Sequence, residues 1–166
     1  MKTLQRLVVA AALLVVTRAG YAEESPRVPP HPELEAVFAE YAKAAELFYD
    51  GKPDGVKQLW SHRDDVTLSG AAGGETAKGW KSVSERLGWA SSQFSKGSKS
   101  VELVQQTVSG DFAYVVQYEH IVFYPPGQFK QSKRDYRVTT IFRREPEGWR
   151  VAHRHADTLL KREAIK

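Results

Sequence analysis

Three residues near the C-terminus carry side chains that could exchange protons or bind a ligand: His153, His155 and Asp157. They stand at two-residue steps in a strand-like run, so in regular strand geometry they share one face. Imidazole titrates near physiological pH, and such a cluster can perform acid–base chemistry. It could also hold a transition metal if Glu119 or His120 supplied another ligand, or it could simply tie the strand end. These three residues are the catalytic candidates; no cofactor is predicted.

A β-hairpin positions this cluster. Two alternating runs flank residues 145–148, whose Pro and Gly suit a tight reversal. If Arg144 and Trp149 close the turn, regular pairing then sets these residues opposite each other: Phe142 and Val151, Thr140 and His153, Val138 and His155. The other face carries four arginines: Arg137, Arg143, Arg150 and Arg154. We therefore predict that the histidine face lines the interior.

Two residues outside the hairpin also qualify as ligand contacts. Glu119 lies in the middle of the apolar run Phe112–Tyr124, where a carboxylate must be paired or protonated. Arg137 is its expected partner, because a guanidinium matches a carboxylate in two-point contact. Trp60 offers a large apolar wall at the end of a predicted helix, although such a residue more often belongs to a core.

Composition indicates one globular domain and an export signal. The chain has 166 residues, of which 42% are hydrophobic and 27% charged. Residues 1–22 combine a basic start, a ten-residue apolar run and small residues before a cleavage point after Ala22. They predict a signal peptide and a periplasmic or secreted protein, with no membrane span in the mature chain. The sequence contains no cysteine, which excludes disulfides, thiol chemistry and a lipoprotein anchor.

The charge balance disfavours a nucleic-acid partner. Beyond residue 22 the chain carries 21 basic and 20 acidic side chains, so it is nearly neutral. Binding to a phosphate backbone needs a concentrated basic stripe. The nearest run, residues 130–137, is more simply a solvated hairpin. A small apolar or amphipathic molecule is the expected partner.

The remaining pattern predicts an α+β domain. A Pro-rich linker, 23–32, precedes helices over 33–51, 53–60 and 80–94, with a short strand at 65–69. Strands over 101–108 and 112–124 and the hairpin follow, and 158–166 forms a charged tail. The run 112–124 is apolar on both faces, so its sheet needs two covers. The helices supply one cover, and a second subunit would supply the other, which predicts a homodimer.

Four segments carry a family resemblance: FYDGKPDGVKQLW, DDVTLSGAAGG, RVTT at 137–140 and GWRVAHRHAD. With this element order, residues 33–157 resemble the SnoaL-like branch of the nuclear transport factor 2-like (ketosteroid isomerase-like) superfamily. The resemblance implies a cone-shaped, mostly antiparallel curved sheet that encloses a cavity with three helices, and frequent dimers through the outer face of the sheet. Such folds host isomerases, cyclases, hydrolases and pure binders.

The resemblance adds site candidates. Ketosteroid isomerases have a base aspartate near the first strand, where this chain has Asp64 and Asp65. Kinase association domains of the superfamily place arginines in the cavity, which favours Arg137 and Arg154 and keeps Thr139 as a candidate. The ligand-binding candidates are therefore Glu119, Arg137, Thr139, His153, His155 and Trp60. Three functions follow as hypotheses: an exported small-molecule-binding domain, an acid–base enzyme such as an isomerase, cyclase or epoxide hydrolase-like protein, and a dimeric interaction module.

Overall fold

The computed structural model describes residues 32–158. The predicted signal peptide, nearly all of the predicted linker and the predicted tail from residue 159 onward lie outside the described residues. The helices are α1 (Pro32–Phe48), α2 (Asp54–Gln58) and α3 (Trp80–Ser92). The strands are β1 (Thr67–Ser69), β2 (Ala77–Lys78), β3 (Ser95–Ser109), β4 (Phe112–Tyr124), β5 (Ser132–Glu145) and β6 (Gly148–Thr158). No helix of this part of the chain has the length and apolar character needed to cross a membrane.

The six strands form one curled sheet in the order β2-β1-β6-β5-β4-β3. Every neighbouring pair is antiparallel except β1 and β6, which are parallel. Long hairpin-connected strands β3 to β6 follow one another in sequence, while the helices come from the first half of the chain. This arrangement confirms the predicted α+β cone. The two-residue strand β2 was not predicted.

The helices cover the inner face of the sheet. The apolar stripe of α1 packs on β5, with the Phe38 and Phe142 ring centroids 5.0 Å apart in an edge-to-face contact. Backbone hydrogen bonds join the end of α2 to β6: Val151 N donates to Leu59 O, and Ser61 N donates to Val151 O, both at 2.9 Å. Trp60, between these contacts, is 1% exposed and belongs to the core.

A β-bulge in the C-terminal hairpin reverses its predicted faces. Arg144 pairs with Trp149 and Phe142 with Val151, as predicted, but the register then shifts by one residue. Beyond the shift, His153 is opposite Ile141 and His155 is opposite Thr139. An extra residue on one strand turns all later side chains to the other face. The prediction of an inward-facing histidine cluster is therefore wrong, because β6 is not a regular strand.

The residues beyond the bulge follow the new register. Arg154 and Ala156 join Val151 on the inner face, and the Arg154 side chain is 14% exposed. The outer face now carries His153, His155 and Asp157. Arg154 is thereby moved from the predicted solvent side to the interior.

Candidate functional site

A cavity of about 440 Å³ lies between the inner face of the sheet and helices α1 and α3. Its walls are mainly aromatic and aliphatic: Tyr41, Phe48, Tyr49, Leu87, Phe94 and Phe123. Exposed lining residues mark its opening: Ala72, Trp89, Gln93, Gln128 and Arg134. A concave apolar space of this size with few polar groups is typical of small-molecule sites.

The polar floor of the cavity is built around Glu119, whose side chain is 1% exposed. Its Oε2 accepts hydrogen bonds from Arg154 Nη2 at 2.7 Å and from the Tyr49 hydroxyl at 3.3 Å. Its Oε1 accepts from Gln117 Nε2 at 2.8 Å and from Lys99 Nζ at 3.4 Å. Both carboxylate oxygens are thus engaged, as a buried charge requires.

The two cations keep Glu119 ionised. Burial by itself raises the pKa of this carboxyl, but Arg154 and Lys99 together with the Gln117 hydrogen bond outweigh it and hold the pKa at about 2. Burial opposes the charge of Arg154, whose pKa is nevertheless raised above its ordinary value, mainly by Glu119. Glu119 is therefore a charged hydrogen-bond acceptor at neutral pH and not a proton donor.

Lys99 is the least well partnered charge on the floor. Its side chain is 6% exposed, and its hydrogen bond to Glu119 is long at 3.4 Å. The ammonium also lies 5.9 Å from the centroid of the Tyr41 ring, a cation–π distance. Burial lowers the pKa of Lys99, with Glu119 opposing that effect and Arg154 adding to it.

Two tyrosines, the half-buried Tyr41 and the buried Tyr49, complete the polar groups at this end of the cavity. Burial raises the pKa of both Tyr41 and Tyr49, so their hydroxyls stay protonated at neutral pH. The Tyr49 hydroxyl donates to Glu119. The floor therefore presents hydroxyl, ammonium and guanidinium donors around one carboxylate.

A close backbone contact places Lys99 on this floor. Gly97 N donates to Tyr49 O at 2.9 Å, so the start of β3 lies directly against the end of α1. A Cβ atom at Gly97 would lie 2.5 Å from Tyr49 O, which explains why glycine occupies the position. Two residues later Lys99 pairs with Ile121, on the same inner face as Glu119.

The cavity includes few of the predicted site residues. Glu119 lines it, while Arg137, Thr139, His153 and His155 lie on the outer side of the sheet, and Trp60 is in the core. The predicted Glu119–Arg137 pair is wrong: Arg154 takes that place, since the bulge turns it inward. Arg137 instead binds Asp157, the third catalytic candidate, on the outer face. Its Nε donates a hydrogen bond to the Asp157 carboxylate at 3.0 Å.

The histidines have structural partners on the outer face. His153 Nδ1 lies 2.7 Å from Thr67 Oγ1 on β1, and burial together with the neighbouring His155 lowers the pKa of His153. His155 is exposed and pairs across the strand with Thr139. Nowhere in residues 32–158 do three His, Asp or Glu side chains meet in a group that could hold a metal ion.

The aspartates near the first strand also lie away from the cavity. Asp65 forms a two-point ion pair with Arg143, at 2.6 and 3.0 Å. Neither Asp64 nor Asp65 lines the cavity. The isomerase-type base expected from the resemblance therefore has no counterpart in this position of the structure.

Sequence reasoning missed Lys99, Tyr41 and Tyr49 as site residues. Lys99 stands in a run of Ser, Lys and Gly that is typical of a loop, although β3 begins at Ser95. If the alternation of β3 had been continued back from Val101, it would have placed Lys99 on the same face of the strand as Val101, which is the face of Glu119. Tyr41 and Tyr49 lie within the helix predicted over 33–51, and only the assembled sheet brings them to the Glu119 carboxylate.

Comparison with solved structures finds the same fold in other proteins. A proposed dehydratase of the nuclear transport factor 2-like family from Streptomyces avermitilis superposes with a TM-score of 0.66 at 20% identity, covering 78% of this chain and 96% of that one. A ketosteroid isomerase-like protein from Erwinia carotovora atroseptica gives 0.62 at 19% identity, covering 76% and 94%. At these identities the likeness establishes the fold alone.

A third structure is a proposed calcium/calmodulin-dependent protein kinase type II association domain from Thiobacillus denitrificans. Its TM-score is 0.63 at 21% identity, covering 79% of this chain and 97% of that one. No curated protein matches the chain. The SnoaL-like domain family matches residues 34–159, which is most of the sequence and includes all six strands and the whole cavity. The chain therefore belongs to the SnoaL-like domain family.

Proposed function

We propose that this protein is an exported small-molecule-binding domain whose ligand occupies the cavity above Glu119. The observation that carries the proposal is an apolar-walled space of about 440 Å³ that ends on a polar floor built around Glu119. Such a combination buries an apolar body and orients it through a few polar contacts.

The chemistry of the floor favours binding over proton transfer. A general base works best with a pKa near the operating pH. Glu119 has a pKa of about 2 and is held by two cations, so it is a poor base and a poor acid at neutral pH. The two histidines that were predicted to transfer protons lie on the other side of the sheet.

A neutral fluorescent probe tests the proposal. N-phenyl-1-naphthylamine should bind the wild-type protein, and Ala90→Phe, which fills the cavity from α3, should weaken binding at least about tenfold because it occupies the same space. Ala42→Phe on the exposed side of α1 is the matched control and should change nothing. Absence of probe binding to the wild type, or equal binding to Ala90→Phe, would contradict a ligand cavity.

Export is the second part of the proposal. It is supported by the basic start and the ten-residue apolar run in residues 1–22. N-terminal sequencing of the protein from its own host should begin at Glu23. Recovery of the chain with Met1 intact from the cytosol would refute export.

We further propose that the protein forms a dimer through the outer face of its sheet. Support comes from a band of apolar side chains there, with Phe112 52% and Tyr114 39% exposed beside Val116, Tyr118 and Ile141. Tyr114→Arg should give a monomer in light scattering, whereas Leu47→Arg on α1, also exposed, should not. A wild-type monomer mass at every concentration would exclude the dimer.

A further inference from the structure

The charges that line the cavity do not balance. Among the described residues, Glu119 is the one acidic side chain in the lining, whereas four lining side chains are cationic: Arg86, Lys99, Arg134 and Arg154. Arg86 and Arg134 lie towards the opening, where water screens them. Lys99 and Arg154 lie on the buried floor and share the Glu119 carboxylate. The floor therefore carries one positive charge in excess.

Lys99 is where this excess is least compensated. An ammonium has three N–H donors, and the described residues offer Lys99 a single acceptor, Glu119, at 3.4 Å. Arg154 holds the same carboxylate more closely, at 2.7 Å. A buried cation with open donors is costly unless an acceptor reaches it. An anionic group of a ligand is the acceptor that this position lacks.

Resting on the proposed function, we propose that the ligand carries a single carboxylate on an aromatic or apolar body, and that Lys99 and Arg154 bind that carboxylate. One negative charge neutralises the excess on the floor. The body would lie against the rings of Phe48, Phe94 and Phe123, in which neighbouring ring centroids are 4.7 and 6.4 Å apart. Charged and aromatic contacts thus act on opposite ends of one small molecule.

Two ligands of equal shape test the charge. At pH 7, 2-naphthoate and neutral 2-naphthamide are titrated against bound N-phenyl-1-naphthylamine. Naphthoate should bind at least about tenfold more tightly, because hydrogen bonds to a charged acceptor are about twice as strong as neutral ones. Lys99→Met keeps the length of the side chain without its charge, and should weaken naphthoate at least about tenfold while leaving naphthamide unchanged. Lys43→Met, at an exposed position on α1, is the control and should alter neither.

The outcomes separate this inference from the proposed function. If the fluorescent probe does not bind, the ligand cavity and the carboxylate site are both wrong. If the probe binds but naphthoate and naphthamide compete equally, the cavity stands and the carboxylate site is overturned. Equal losses for both ligands in Lys99→Met would also overturn it. The wild-type comparison needs no variant, so it decides the matter even if Lys99→Met fails to fold.

Discussion

Removing the charge of Glu119 should destabilise the protein strongly. Glu119→Gln keeps the size of the side chain but leaves Arg154 and Lys99 buried without a counter-charge. Breaking a buried ion pair from one side costs about 3–5 kcal/mol. The pKa of Glu119 leads to a similar figure: a carboxyl whose pKa falls from 4.5 to about 2 on folding contributes about 3 kcal/mol at neutral pH.

The charge of Glu119 also makes the stability of the protein depend on pH. Because folding lowers the pKa of Glu119, its contribution is fully present above pH 4.5 and is lost as the pH falls towards about 2. Urea denaturation at pH 7, 5, 4, 3 and 2 measures the free energy of unfolding. We expect the wild type to lose about 3 kcal/mol more than Glu119→Gln across that window, since the variant has no carboxyl to protonate at this position.

An exposed ion pair supplies the control. Asp157 pairs with Arg137 on the outer face, where its side chain is 42% exposed, so Asp157→Asn should cost at most about 1 kcal/mol. Two results would refute the reasoning. One is a loss below about 1 kcal/mol for Glu119→Gln at pH 7. The other is a pair of parallel stability curves for the wild type and Glu119→Gln between pH 4.5 and pH 2.

Three further predictions concern the charge of Glu119, the hydrogen bond between His153 and Thr67, and the contact between Gly97 and Tyr49. Glu119→Gln should bind 2-naphthoate about tenfold or more tightly than the wild type by fluorescent displacement, because the nearby negative charge is gone; equal affinity would contradict this. His153→Ala should lower the free energy of unfolding by about 1–3 kcal/mol, because a hydrogen bond to Thr67 is lost, and His155→Ala should lower it by less than about 1 kcal/mol. Neither variant should change binding of the fluorescent probe; a loss of binding would show that these histidines contribute to the ligand site. Gly97→Ala should lower the free energy of unfolding, measured by urea denaturation, by about 1–3 kcal/mol, because its methyl group would overlap Tyr49 O. An unchanged denaturation midpoint would show that the backbone of β3 shifts to accommodate the methyl group.

Local periodicity was enough to predict most of the elements. The run from Phe112 to Tyr124 is strand β4 with the predicted bounds, and Trp80 begins α3 as predicted. The mid-strand carboxylate of Glu119 was expected to be paired or protonated, and the structure shows it buried and paired. The bounds of an element, and the need of Glu119 for a partner, depend on residues within one element. The local sequence therefore determines them.

The identity of the site depended on the tertiary structure. One extra residue in β6 exchanges His153 for Arg154 on the inner face, and alternation with period two contains no sign of that insertion. The partner of Glu119 is therefore Arg154 and not Arg137. Lys99 reaches the same carboxylate because the contact of Gly97 with Tyr49 seats β3 against α1. Both outcomes are set by how separate elements pack, since a register shift and a close backbone approach exist only between elements and not within one.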